Sequence, residues 1–286
     1  MLCKQILGAL KSTEVIISVI ILFVALILIN GLTLILPADN KYYSDSSFLD
    51  NMLANANTMI FDIAVILVFN TFLLKIMERR RKIQEYFDEI DDFRGWHSEE
   101  ASHRVRGIIF RLNKLGVTNI NLSDCCLREV NLRGANLSGA RCSQADLSKT
   151  DLTGANLNKT SLITSDLSGA CLTLGNLSRA DLTWAKLCNA YLFRVDLSGA
   201  CFRKANLCRA NLSWVNFSEA DFSEADFSGS KIFEVTGISE AKGLDIAVFT
   251  DSTMDDKIRE YLSKINPTVK PLEKLKKDNN ENDKSA

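Results

Sequence analysis

From Ile120 to Glu234 a hydrophobic residue returns at every fifth position, twenty-three times, with no insertion or deletion. Each unit reads small residue, Asn/Asp or another polar residue, Leu/Phe, Ser/Thr or another polar residue, then a variable position, as in Ala135-Asn136-Leu137-Ser138-Gly139. The central position is Leu or Phe in every unit except those of Cys142 and Ile232, and the small position is Ala in thirteen units. A period of five matches neither the two of a strand nor the 3.6 of a helix, so neither element could bury this set on one face. Fixed self-similarity points to a solenoid, in which each unit covers its apolar residues by stacking on a neighbour. If each pentapeptide makes one side of a square coil, residues twenty apart stack, and one interior column reads Leu132, Leu152, Leu172, Leu192, Leu212, Ile232. Phe202, Phe217, Phe222 and Phe227 make the interior bulkier toward its C-terminal end. Asn136, Asn156, Asn176, Asp196 and Asn216 form an outer column expected to hydrogen-bond the turns or each other.

The A-(D/N)-L-x-x frame resembles that of the pentapeptide-repeat family, and the resemblance covers about two fifths of the chain. It implies a mainly β fold for residues 120–234, a right-handed quadrilateral β-helix, and by the family's usual occurrence a bacterial source. It does not imply a function, since members of the family do many different things. Some members act as DNA mimics that bind topoisomerases through a strongly acidic surface. Here twelve Lys/Arg balance twelve Asp/Glu between Ile120 and Glu234, and the whole chain carries a formal charge of −1. Neither a DNA mimic nor a nucleic-acid binder is favoured by that balance.

Ahead of the repeats stand two apolar runs. Val15–Leu36 is 22 residues long, enough to span a bilayer, and is stopped by Pro37. Its length and the lack of a convincing small-residue cleavage site read as an uncleaved membrane helix. The stretch from Ala38 to Asn57 is polar and acidic, with Tyr42-Tyr43 suited to the headgroup belt. Thr58–Ile76 is a second span, which completes an N-terminal transmembrane hairpin over residues 1–77. The intervening loop has only Lys41, whereas Lys4, Lys11, Lys75 and Arg79-Arg80-Arg81-Lys82 flank the runs. The positive-inside rule then places both termini and the repeats in the cytoplasm of a multi-pass inner-membrane protein. Asn30 and Asp62 fall at similar depth at about 1.5 Å of rise per residue. They either pair across the hairpin or leave Asp62 at the outer headgroups.

Residues 78–119 read as a linker helix and an N-terminal cap. Ile83, Tyr86, Phe87, Ile90 and Phe93 recur at helical spacing, and Gly95 breaks the pattern. A second helix is predicted with Ser98 as N-cap, Ala101, Val105, Ile108, Ile109 and Leu112 as its buried stripe, and Gly116 at its end. Beyond Glu234 the frame fades. A C-terminal cap over residues 235–267 is predicted to hold a short helix, capped by Ser252 or Thr253, that presents Met254, Ile258, Tyr261 and Leu262. Residues 268–286 have little to bury and read as a disordered tail.

Catalytic, cofactor and metal sites are not legible. Seven of the eight cysteines are scattered through the repeats without a C-x-x-C pair, and His97 and His103 lack a nucleophile or ligand partner. Cys188 and Cys208 share a column one coil apart, which allows a disulfide, although a reducing cytoplasm favours free thiols. One stretch of surface departs from the small and charged residues elsewhere: Leu174, Tyr191, Phe193, Arg194 and Trp214 fall on one face over consecutive coils. Aromatic residues clustered with Arg resemble an interface hot spot. They could equally cover the corners or pack on a flanking helix. The resulting reading is a membrane-anchored, non-catalytic scaffold whose partners are lipid and a protein, with a homodimer left open. The alternatives are a topoisomerase-directed DNA mimic and an accessory subunit of a channel or transporter.

Overall fold

The computed structural model describes residues 46–271, so the first expected span with Asn30, and the tail past 271, lie outside the described residues. The chain divides into two compact units, Met1–Gln84 and Glu85–Ala286. Helix α1 (Ser46–Asp92) begins inside the polar stretch expected to be a loop. No Gly or Pro lies between Ser46 and Asn57 to break it. From Thr58 onward α1 is long and apolar enough, by length and composition, to cross a membrane. Met59, Phe61, Ile66, Leu67, Phe69, Leu74 and Met77 are all exposed on it, as is Asp62.

In the second unit the repeats form a coil whose neighbouring turns pair as parallel bridges. The register is twenty residues, from Asn121↔Arg141 through Asn216↔Thr236. Hydrogen bonding explains the frame position by position. In the unit of residues 155–159, the Ala155 N–H donates to the Leu152 carbonyl (2.9 Å), closing the corner, and the Asn156 N–H to Ala135 of the preceding coil (2.9 Å). The N–H groups of Leu157 and Lys159 donate to Asn176 and Ser178 of the next coil (2.7 and 3.0 Å). The fifth N–H, that of Asn158, donates to the Asn156 side-chain oxygen at 3.1 Å. All five backbone donors are thereby satisfied within a unit.

Asn/Asp recurs for that last bond, and Ser or Thr two residues on adds a hydroxyl to the same oxygen, as Thr183 does to Asp181 at 2.6 Å. Of the two expected roles for the outer amide column, bonding the turn dominates. A link between coils within that column is seen from Asn216 Nδ2 to Asp196 Oδ1 (3.1 Å).

The variable position has a backbone role that the frame does not advertise. Every fifth residue from Asp124 to Glu234 has positive φ, between 53° and 71°. At every corner but those of Trp214 and Glu234 the next residue also donates back across the corner, as Ala155 does to Leu152, and a positive φ at the third residue of such a turn is the type II feature. Glycine suits such a corner, yet Leu174, Trp184, Trp214 and the β-branched Thr164 (φ 57°) also occupy it. Inside, the central residues are fully buried, and the small residues beside them leave room for a tightly closed square. Where Thr replaces Ala its hydroxyl is returned to backbone, as Thr150 Oγ1 does to Leu127 at 2.6 Å. Ser230 Oγ is the buried side-chain oxygen among the described residues left without a partner. Ser230→Ala removes it at a site that favours Ala. The expected gain is about 1 kcal/mol in chemical denaturation, and a loss would show that the hydroxyl is satisfied.

Pairing does not stop where the pentapeptide frame does. Asp221 pairs with Lys242, Asp226 with Val248, and β1 (Lys231–Ile232) with β2 (Thr253–Met254), so the boundary expected at Glu234 moves about twenty residues on. Two single-residue insertions, absorbed at successive sides, hide this last turn from a period-five search. In register with the interior Phe217 and Phe222 this turn has Gly237 and Gly243, which have positive φ and press on Ser218 and Ser223 so closely that a Cβ would collide. Phe249 continues the interior by stacking on Phe227 at 5.0 Å.

Helix α2 (Glu99–Lys114) starts at Ser98, whose hydroxyl accepts the Ala101 N–H (3.2 Å), and buries the predicted stripe. Residues 94–113 meet the open edge of the first coil one side at a time. Arg94 donates to the carbonyls of Asn121 (3.4 Å) and Ser123, Ser102 Oγ to Cys126 (2.9 Å), and Arg106 Nε to Asn131 (2.6 Å). On the fourth side the Asn113 amide accepts the Asn136 N–H and donates to the Asn136 carbonyl, both at 2.8 Å, standing in for a missing strand.

Helix α3 (Asp256–Ile265) is capped by Asp255, not by Ser252 or Thr253, because β2 claims Thr253 and Met254. The Asp255 carboxylate accepts Ile258 N–H (3.0 Å) and Glu234 N–H (2.9 Å). Buried Asn266 donates to the carbonyls of Leu244 and Ala247 (2.7 and 2.8 Å) and accepts from Thr268. Val269 is buried as well, so the chain stays ordered past the expected start of the tail at 268.

Candidate interaction face

The four sides of the coil are distinguishable by register, and one of them carries the predicted patch. Tyr191 and Phe193 lie on the side that runs through residues 131–133, 151–153, 171–173, 191–193, 211–213 and 231–233, and Leu174, Arg194 and Trp214 form the corner that follows it. Leu174, Tyr191 and Trp214 are more than half exposed. The Arg194 guanidinium lies over the rings of Phe193 (5.4 Å) and Trp214 (5.7 Å), which ties two coils together at the surface. Phe233, also exposed, extends the same side. Sequence reading missed it, although its spacing of forty from Phe193 puts it in the same column.

Within this side Tyr191 departs from the frame. In most units an Asn or Asp before the buried Leu or Phe supplies the oxygen that accepts the turn N–H; Tyr191, like Cys126, Arg141, Cys171, Lys186, Cys201 and Lys231, does not. Tyr191 differs from those other positions in placing an exposed ring beside the Phe193, Arg194 and Trp214 cluster. Trp184, exposed too, lies on the opposite corner. There Lys204 Nζ sits 4.8 Å from its ring and pairs with Glu224 at 3.6 Å.

Other chemistry-bearing groups are occupied structurally. Burial works to raise Asp221, but hydrogen bonds from Ser223 and Arg203 hold it below the usual carboxylate value, and Asp151 is lowered in the same way with Thr153 and Arg133. Both are the reverse of the raised carboxyl a general acid uses. A groove of about 660 Å³ runs past Glu89, Glu99, Glu100, His103, Arg104 and Arg111, and its side chains meet along the helix, Arg104 pairing with Glu100 at 3.0 Å and His103 Nε2 lying 3.7 Å from Glu99. No group of three or more potential metal ligands occurs among the described residues. Asp62 is exposed on α1, and its expected partner Asn30 is outside the described residues.

Comparison with known proteins bears on the repeats. The family model for pentapeptide repeats matches eight copies over residues 118–154, 140–179, 175–213 and 202–232. A pentapeptide repeat protein from the thylakoid lumen of Arabidopsis thaliana is 30% identical, covering 43% of this chain and 77% of its own, with a TM-score of 0.28. HetL, a pentapeptide repeat protein involved in heterocyst differentiation regulation from the cyanobacterium Nostoc, is 28% identical over 48% of this chain and 75% of its own, with a TM-score of 0.22. QnrB1, a plasmid-mediated fluoroquinolone resistance protein, is 21% identical over 51% of this chain and 82% of its own, with a TM-score of 0.30. No match is found among curated proteins. With the family's repeat matched from 118 to 232 and its frame accounted for bond by bond, the chain belongs to the pentapeptide-repeat family.

Proposed function

We propose that this protein is a membrane-anchored, non-catalytic scaffold that presents one face of its repeat coil to a protein partner. The observation that carries the reading is the cluster of Leu174, Tyr191, Phe193, Arg194, Trp214 and Phe233 on a single side, where the turn-stabilising frame is given up for an aromatic residue. Anchoring is supported by α1, whose apolar side chains are exposed from Met59 to Met77 and so call for an apolar environment. The basic run Arg79-Arg80-Arg81-Lys82 that follows suits the cytoplasmic leaflet and supports a reading in which the repeats lie on that side. Arg94, Ser102, Arg106 and Asn113 act as an N-terminal cap. α3 with Asn266 does the same at the other end, and both prevent further coils from adding to an open edge.

The test separates binding from folding at one residue. Tyr191→Asn restores the frame and provides an acceptor for Phe193 N–H, so the coil should gain about 1 kcal/mol. The same variant, and Trp214→Ala, should lose the partner captured by crosslinking and pull-down from native membranes with the full chain. Capture by both variants at the wild-type level would remove this face from consideration. Release of the full chain from membranes by alkaline carbonate would remove the anchor.

A further inference from the structure

The structure assigns a second site, independent of the aromatic face: a thiol pair on an adjacent side, Cys188 and Cys208, which we propose is oxidised by a peroxide to a disulfide that staples two neighbouring coils. The pairing follows from register. Leu187 N–H donates to the Asn206 carbonyl (2.7 Å) and Asn189 N–H to the Cys208 carbonyl (2.9 Å), so Cys188 and Cys208 sit directly one above the other. Backbones in such a pair are about 4.8 Å apart, within the range of a disulfide.

The rest of this column shows that the thiols are a departure. Its other members include Ser148 and Ser228, whose hydroxyls donate to the turn oxygens of Asp146 and Asp226 at 2.5 Å. Unit 186–189 has Lys186 where the turn oxygen would be, and the Cys188 thiol donates instead to Asn206 Oδ1 on the next coil, at 3.1 Å. Asn206 thereby orients the thiol beside Cys208, which the same oxygen holds through its N–H at 3.0 Å.

The other described cysteines lack this combination of access and a stacked partner. Cys125 and Cys142 are buried inside the coil, where burial pushes their thiols up to about 11 and about 12; partial burial and the neighbouring Cys208 raise Cys188 as well, but it keeps access to solvent. Cys171 and Cys201 are partly exposed, but each has a threonine hydroxyl 3.3 Å away, Thr153 and Thr183 respectively. Cys188 and Cys208 alone among the described residues are both partly exposed and stacked in register.

The chemistry balances. One thiolate attacks a peroxide oxygen, the O–O bond breaks and water leaves, giving a sulfenic acid. The second sulfur attacks that sulfur, the S–O bond breaks and a second water leaves. Two sulfurs each give one electron, the peroxide takes both, and the two thiol protons end on the two waters. The product closes a loop of one full coil, which constrains the unfolded chain.

The experiment treats the full chain in detergent with hydrogen peroxide, alkylates it and digests it with trypsin. Cleavage at Lys186, Arg194, Lys204 and Arg209 puts the two cysteines on separate peptides, 187–194 and 205–209. The expected result is a linked pair of these peptides that is dissociated by dithiothreitol. An upward shift in unfolding temperature of roughly 5–10 °C should accompany it, absent from Cys188→Ser, a residue this column already accepts. The proposal is overturned if both thiols remain alkylatable at peroxide levels that oxidise Cys171 or Cys201. A linkage found only between two molecules, seen as a dimer on a non-reducing gel, overturns it as well.

Discussion

Phe222→Ala is expected to cost about 3–5 kcal/mol, the largest loss of any single substitution in the coil. Phe222 is fully buried at the centre of an aromatic cluster, with ring centroids 5.2 Å from Phe202, 4.7 Å from Phe217 and 5.3 Å from Phe227. Three rings would face the resulting space, and backbone bridges on every side keep the coil from collapsing into it. Because a solenoid is coupled chiefly to its neighbours, the damage should be local. Hydrogen exchange should accelerate in the coils from about residue 200 to 254 while those before residue 180 keep their protection. Leu137→Ala, in the narrower N-terminal part, should cost less, about 2–3 kcal/mol. Equal losses at the two positions would mean that the aromatic cluster adds nothing beyond ordinary burial.

Replacing Asn113 by Leu should have the second-largest effect, with consequences for both stability and assembly. The amide satisfies the N–H and the carbonyl of Asn136 and also donates to Val117 at 3.2 Å. Removing it leaves those groups without their partner, at a cost of about 2–3 kcal/mol. It also bares an unpaired edge, which is a template for a second copy. The expected observation is a lower denaturation midpoint together with concentration-dependent oligomers in size-exclusion chromatography. Asn113→Asp keeps the acceptor for Asn136 N–H and loses the donor, so it should lie between wild type and Leu in both measurements. A variant series that changes stability but never assembly would show that α2 blocks the edge by bulk alone.

The period of five identified Leu132 through Ile232 as interior, because a residue stacked twenty positions apart has nowhere else to point. Ser98 and the stripe from Ala101 to Leu112 were legible because helix capping and amphipathic spacing are local. Asp255 was misjudged because the choice of N-cap depended on β2 pairing with β1, a contact across more than twenty residues. The last coil was missed for a related reason: two insertions destroy the period while leaving the backbone ladder intact. At the interaction face, Tyr191, Phe193, Arg194, Leu174 and Trp214 were placed on one side by counting alone. Phe233 and the position of Arg194 between two rings required coordinates.

By itself the sequence determined the repeat, its interior, its family and the apolar character of the run from Thr58, since each depends on composition at fixed spacing. Only the tertiary structure decided where the coil ends and how its edges are closed. Asn113 and Asn266 are ordinary polar residues until distant backbone groups, left over when the coil runs out, come within hydrogen-bonding distance of their amides.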